Sequence, residues 1–200
     1  MRKSLTIAAL LVVVGATPLY AADSDIAAEV KRVAQTLGEQ TVAAIKVEEK
    51  DERRRLLEAA AAPAIDFRAI AQGVLNYAGA RVPDNREAEV VDEVVGFMTH
   101  VIVSELERIR PETATIGDVS VKDGEARVSM SLAGAKDAID GDWKFKKKGN
   151  AWKVTDIAVT GGTLTAHFGE KLSRHARGVD QLVEYLRAQQ NPRQTALRTQ

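Results

Sequence analysis

The sequence predicts an α+β domain in which an antiparallel β-sheet packs against a helical layer. Apolar residues recur in steps of three and four over residues 26–109, alternate with polar residues over 119–159, and return to helical steps over 164–187. Helices grouped before and after a block of hairpins, rather than interleaved with strands, argue against a doubly wound sheet. At 200 residues with 45% apolar positions, the chain suits one core and is too short for two large ones.

The first segment reads as a targeting device. Arg2 and Lys3 precede an apolar run from Leu5 to Val14, too short for a membrane span of about twenty residues. Gly15 and Pro18 break that run, and Ala21 or Ala22 supplies the small residue needed before cleavage. Residues 1–22 are therefore expected to be a secretory signal peptide, residues 23–190 a single domain, and residues 191–200 a polar, disordered tail. With this signal type and no cysteine, the periplasm of a bacterium with two membranes is the expected location.

Ile26, Val30, Val33, Leu37, Ala44 and Ile45 form the stripe of a first amphipathic helix. The run Glu48 to Arg55 places Glu49 with Arg53 and Asp51 with Arg55 in the favourable i,i+4 order, and reads as a solvated helix face closed by Pro63. Asp66 is placed to cap the next helix, which puts Phe67, Ile70, Ala71, Val74 and Leu75 on one side. Beyond Gly79 and Pro83 a long helix is expected from about Asp84 to Ile109, stopped by Pro111. Its wide stripe is mostly β-branched, which is poor intrinsic helix material. Such a helix needs tertiary contact around most of its circumference.

Strands follow. Val119 and Val121 alternate, Lys122 to Gly124 turns the chain, and Ala126, Val128, Met130 and Leu132 alternate again. Trp143 and Phe145 lead into a Gly149-Asn150 hairpin turn, and Trp152 and Val154 come back from it. Inward parity shifts before Ile157, so a bulge is expected near Thr155-Asp156. Gly161-Gly162 ends the strand, and two short helices follow, about Leu164–Arg174 and Val179–Arg187.

The usual chemical motifs are absent. Basic and acidic residues number 28 each, which disfavours a dedicated nucleic-acid binder. There is no glycine-rich phosphate loop, no Gly-x-Ser-x-Gly elbow and no His-Glu-x-x-His. His100, His167 and His175 are scattered. The last two lie on a helical stretch without a carboxylate at ligand spacing, so neither metal nor cofactor is expected. Asp140, Asp142 and Asp156 at strand ends are the carboxylates that a cone-shaped α+β enzyme would use as a base, although strand-end carboxylates are ordinarily solvated. Lys144, Lys146, Lys147, Lys148 and Lys153 surround one hairpin. They read first as an edge that discourages strand pairing, and second as a contact for anionic headgroups or an acidic partner.

Three ordered stretches stand out: Ile65-Asp66-Phe67 through Val74-Leu75-Asn76-Tyr77 with Pro83-Asp84-Asn85-Arg86 following, then Trp152-Lys153-Val154-Thr155-Asp156-Ile157 leading to Gly161-Gly162-Thr163-Leu164, then Gly178-Val179-Asp180-Gln181-Leu182-Val183. Together they resemble the MlaC-type family of phospholipid-binding proteins, also called the toluene-tolerance family. The chain departs from the family where Leu75-Asn76-Tyr77-Ala78 lacks the usual arginine and where the His167-Phe168-Gly169 region replaces a Tyr-Arg pair. The resemblance implies a monomeric periplasmic carrier, not an enzyme, that holds phospholipid acyl chains in an apolar pocket between sheet and helices. It further implies partners: an inner-membrane ABC transporter complex with a lipid-binding ring and an outer-membrane lipoprotein complex, the carrier serving outer-membrane lipid asymmetry. A hopanoid-type or other small hydrophobic ligand is the alternative within the same fold. The expected lining is Val74, Val94, Phe97, Met98, Val101, Met130, Phe145, Val159 and Leu164. Small β-branched residues with Met98 and Met130 suit an adaptable lining.

Overall fold

The computed structural model describes residues 19–190, so most of the expected signal peptide and all of the expected tail lie outside the described residues. Helices α1 (Leu19–Ile45), α2 (Lys50–Ala64), α3 (Phe67–Tyr77) and α4 (Glu87–Ile109, led by a 3₁₀ turn Asp84–Arg86) come first. Strands β1 (Thr113–Lys122), β2 (Glu125–Ala133), β3 (Ala138–Lys148), β4 (Ala151–Val159) and the two-residue β5 (Gly162–Thr163) follow, then α5 (Leu164–Ser173) and α6 (Val179–Gln190). The five strands form one antiparallel meander in sequence order. This is the α+β architecture that the grouping of periods predicts.

Period-2 alternation decides the two faces of the sheet. Ala126, Val128, Met130 and Leu132 of β2 are buried, as are Trp143 and Phe145 of β3 and Trp152, Val154 and Ile157 of β4. The side chains between them face outward and are mostly polar. Along β4 the parity changes at the expected bulge. Lys144 pairs with Asp156 and Phe145 with Val154, which leaves Thr155 without a partner position. Without that extra residue Ile157 would point to solvent.

α1 runs along β1 and β2, and Gly38 sets how closely. A Cβ there would lie 2.7 Å from Ala114 Cβ and 3.2 Å from Met130 Cε, so only glycine permits this approach. The α2–α3 junction docks on β4 by a parallel bridge of Ile65 with Val154, and Asp66 N–H donates to Val154 O at 2.8 Å. Asp66 also caps α3 as expected, its carboxylate accepting from Ala69 N–H at 3.0 Å. α4 packs on α3 and α6. It buries Val90, Val91, Val94, Phe97, Met98, Val103 and Leu106, which supplies the tertiary contact its β-branched sequence requires. Arg110, left-handed at φ 51°, and Pro111 end it.

Several expectations are corrected. β1 begins at Thr113, not near Val119, because a register shift between Ile116 and Val119 inserts a residue at Gly117-Asp118 and breaks the alternation. β3 begins at Ala138, in a stretch whose Asp140, Gly141 and Asp142 look like a loop. Pro63 sits inside the last turn of α2. The expected pairs Glu49–Arg53 and Asp51–Arg55 are not the ones formed. Glu49 caps α2 by accepting from Asp51 and Glu52 N–H, and Arg55 bonds Glu52. Arg53 turns inward to Glu107 of α4 at 3.0 Å and to the Val47 and Glu48 carbonyls. α5 ends at Ser173, so His175 does not share a helix with His167. Finally, Lys144 and Lys146 are paired on both sides and guard no sheet edge, whereas Lys147 and Lys148 lie beyond the β2 pairing and Lys153 lies beyond the reach of β5.

Candidate ligand-holding interior

The interior lies between the sheet's inner face and the helices, and it is apolar throughout. Among the described residues Thr41 is the one buried polar or charged residue; the rest of the core is aliphatic or aromatic. Val74 of α3, Val94 and Met98 of α4 and Phe145 of β3 are fully enclosed, and Met130 of β2 lies under α1 at Gly38. Phe97 meets Phe168 of α5 edge-on at 5.7 Å and Tyr185 of α6 at 6.2 Å, joining three helices. Val101 of α4, Val159 at the end of β4 and Leu164 at the start of α5 are half-buried at the margin. All nine expected lining residues thus belong to one contiguous apolar cluster or pack against it.

Two residues missing from that set belong with it. The indole N–H groups of Trp143 and Trp152 are buried on the inner face without an acceptor, the only such side-chain atoms among the described residues. A buried donor left unpaired costs about 1–3 kcal/mol. Both tryptophans alternate inward in the sequence, a signal that gives their burial but not the absence of a partner. The interior therefore combines apolar side chains packed on one another with two unpaired hydrogen-bond donors.

Position around the interior is fixed by backbone hydrogen bonds to side chains. Asp156 Oδ1 accepts from Ile157 N–H at 2.9 Å and Thr165 N–H at 3.3 Å, tying the β4 bulge to the first turn of α5. Thr163 caps α5 by accepting from Ala166 N–H at 3.2 Å. Gly161 and Gly162, at φ 95° and 143°, make the turn that brings β4 into α5, a backbone that side-chain-bearing residues rarely adopt.

The three candidate carboxylates do not converge. Asp140 and Asp142 stand exposed on the outer face, where Asp142 accepts from Ser129 Oγ at 2.8 Å, and Asp156 is occupied by backbone amides. His100 lies beside Arg54, His167 is exposed, and His175 stacks on Tyr185 at 3.8 Å. No group of metal-ligating side chains occurs among the described residues.

Two surface grooves lie outside this interior. One, about 500 Å³, runs across the outer face between Thr115, Ser129, Ser131, Asp140, Asp142 and Thr160, with Met130 and Val159 at its border. It is open to solvent and lies across the sheet from the buried cluster. The other, about 490 Å³, has Ile45, Ile109 and Pro111 with Lys46, Arg108 and Arg110 around them. Those cations sit at the C-terminal ends of α1 and α4, where they complement the partial negative charge of the helix ends.

A single antiparallel sheet roofed on one face by helices around an apolar interior defines a two-layer domain of the α+β class. The sequence profile of the family described as MlaC protein matches residues 31–188, and the chain belongs to that family. Its structure is similar to that of a phospholipid-binding protein from Ralstonia solanacearum solved in complex with a phospholipid, with a TM-score of 0.68 and 18% identity, over 82% of this chain and 98% of that one. None of the curated proteins compared matches the sequence. Among the described residues no helix is long and apolar enough to cross a membrane.

Proposed function

We propose that the protein is a periplasmic phospholipid carrier. It takes the acyl chains of one lipid between sheet and helices and passes it between an inner-membrane transporter complex and an outer-membrane complex. The observation that carries this reading is the interior: a sheet face and helical roof whose buried residues are apolar except Thr41. Family membership and the phospholipid held by a protein of similar fold support it. Val74, Val94, Phe97, Met98, Val101, Met130, Phe145, Val159 and Leu164 are the proposed lining, with Trp143 and Trp152 as donors to the glycerol-ester oxygens.

These side chains pack on one another in the structure, so lipid enters as the helical roof moves off the sheet. Methionine and β-branched aliphatic side chains repack readily around a new volume. Two acyl chains of about 30 methylenes are worth roughly 24 kcal/mol relative to water at about 0.8 kcal/mol each. Relative to a bilayer interior the same burial is worth close to nothing. The carrier therefore exchanges lipid with membranes near balance, and partner complexes set the direction. The chain has no phosphate-binding loop to drive it.

Native mass spectrometry of the protein from the exported fraction, followed by organic extraction, tests this. One phospholipid per chain is expected. A protein that is empty and stays empty after mixing with phospholipid vesicles rules the reading out, and a polycyclic lipid in its place redirects it to a hopanoid-type ligand.

A further inference from the structure

The outer face of the sheet is graded in charge along the strands. At the hairpin end Lys122, Glu125, Lys146 and Lys153 stand in one lateral row, one from each of β1 to β4 in direct register. Ser120, Arg127, Lys144 and Asp156 form the next row. Lys148 completes the rim at the Gly149-Asn150 turn, beside Lys147, which pairs with the inward Trp152, and the Asp123-Gly124 turn lies at the same end. Further along, the face turns polar and acidic with Ser129, Ser131, Asp140 and Asp142.

The arrangement is costly within the fold. Lys146 directly opposes Lys153, and Arg127 directly opposes Lys144, and like charges in register destabilise a sheet. Glu125 bonds Lys144 and Lys146 at 2.8 and 2.6 Å, and Asp66 holds Lys148 at 3.3 Å. Lys122, Arg127, Lys147 and Lys153 have no acidic partner among the described residues. The acids of α4 are matched locally: Glu89 bonds Arg86 and Arg187, Glu93 bonds Arg187, Asp92 bonds Arg68, Glu105 bonds Arg108 and Glu107 bonds Arg53. The hairpin end, by contrast, keeps four cations that no acid matches among the described residues.

We propose that the hairpin end of the outer face is a docking surface for an anionic bilayer, which the protein meets with both hairpin turns toward the headgroups and α4 away from them. Lys144 and Lys146 block no sheet edge, because both are paired on either side within β3. A protein partner is a poorer fit. Protein interfaces are depleted in lysine and organised around aromatic or arginine anchors, whereas all but one of the cations here are lysines. The sole large exposed apolar side chain among the described residues, Tyr77, belongs to α3. A smeared phosphate surface asks only for positive charge, about five-fold in affinity for each base. Docking through this one end orients the carrier and stays readily reversible, because exposed charges are screened beyond about 8 Å at physiological salt.

The test is co-sedimentation of the purified protein with vesicles of phosphatidylcholine alone and of phosphatidylcholine with phosphatidylglycerol. The wild type is expected to bind the anionic vesicles preferentially, with affinity that falls steadily as salt is raised, a result that needs no variant. The double substitution Lys122→Gln with Lys153→Gln is expected to weaken that binding roughly 30-fold. Glu125→Gln, which releases Lys144 and Lys146, is expected to strengthen it about five-fold. Circular dichroism and thermal melting confirm that each variant folds. Lipid extracted from the double variant is expected to match the wild type, which separates docking from carrying. Equal binding to neutral and anionic vesicles overturns the proposal, as does a double variant that binds like the wild type. Absence of binding to anionic vesicles at low salt also overturns it and leaves these cations to an acidic protein surface.

Discussion

Along β2, Ala126, Val128, Met130 and Leu132 face the helices while Glu125, Arg127, Ser129 and Ser131 face outward, and β3 repeats the division with Trp143 and Phe145 against Asp142, Lys144 and Lys146. Alternate residues of the same strands therefore serve opposite ends. The inner set is chosen for volume and apolarity, and its members lie in a close-packed cluster where each lost methylene is felt. The outer set is chosen for charge and spacing, contributes little to stability, and is free to depend on an external partner. The difference shows why loss of fold and loss of docking separate cleanly by residue parity.

The largest effect expected from that division is at Phe145. Phe145→Ala removes a fully buried ring and is expected to cost about 3–5 kcal/mol in urea unfolding, against less than about 0.5 kcal/mol for Ser131→Ala on the outer face. Equal losses at the two positions would break the comparison. Next is Gly38→Leu, which forces a side chain between α1 and the Ala114–Met130 surface and is expected to cost about 1–3 kcal/mol in the same assay.

Val101→Trp sharpens the comparison within the interior. Val101 is half-buried at the margin, so the larger ring is expected to lower bound lipid in extraction while the melting temperature stays near that of the wild type. Val94→Trp is a poorer probe, because Val94 is fully enclosed and the ring would overpack the core. The smallest effect is on the outer face. The Lys144 and Lys146 ammonium groups hold the Glu125 carboxyl down to about 2, from an ordinary value of 4.5. A depressed carboxylate adds stability above its unfolded value and loses it as pH falls through the folded one. Wild-type stability is therefore expected to decline between about pH 4.5 and pH 2, and Glu125→Gln to reduce the slope across that window in acid denaturation.

Much of the inner face was legible in sequence because parity reports burial directly. β2, the Trp143–Phe145 pair and the bulge at Thr155 all follow from which residues must point inward. What failed was non-local or parity-breaking. The extra residue at Gly117-Asp118 hid the first half of β1, and Arg53 chose Glu107, 54 residues away, over its helix neighbour Glu49. Lys144 and Lys146 were misread as edge residues because strand order is not written in any one strand. For the site, the burial of Val74, Val94, Met98, Met130 and Phe145 was readable. Their division between core and ligand contact was not, since both uses select the same aliphatic chemistry. The orphaned indole donors emerge only when the surrounding acceptors are placed.

The chain's two tryptophans, Trp143 and Trp152, both lie on the inner face, which makes fluorescence a direct reporter of what occupies the interior. Protein loaded with phospholipid brominated on its acyl chains, and separated from vesicles, is the sample to measure. Strong quenching by the brominated lipid, with iodide in solution nearly without effect, is the expected result. Unquenched emission from protein shown by mass spectrometry to carry the brominated lipid would place the acyl chains away from the inner face and contradict the account.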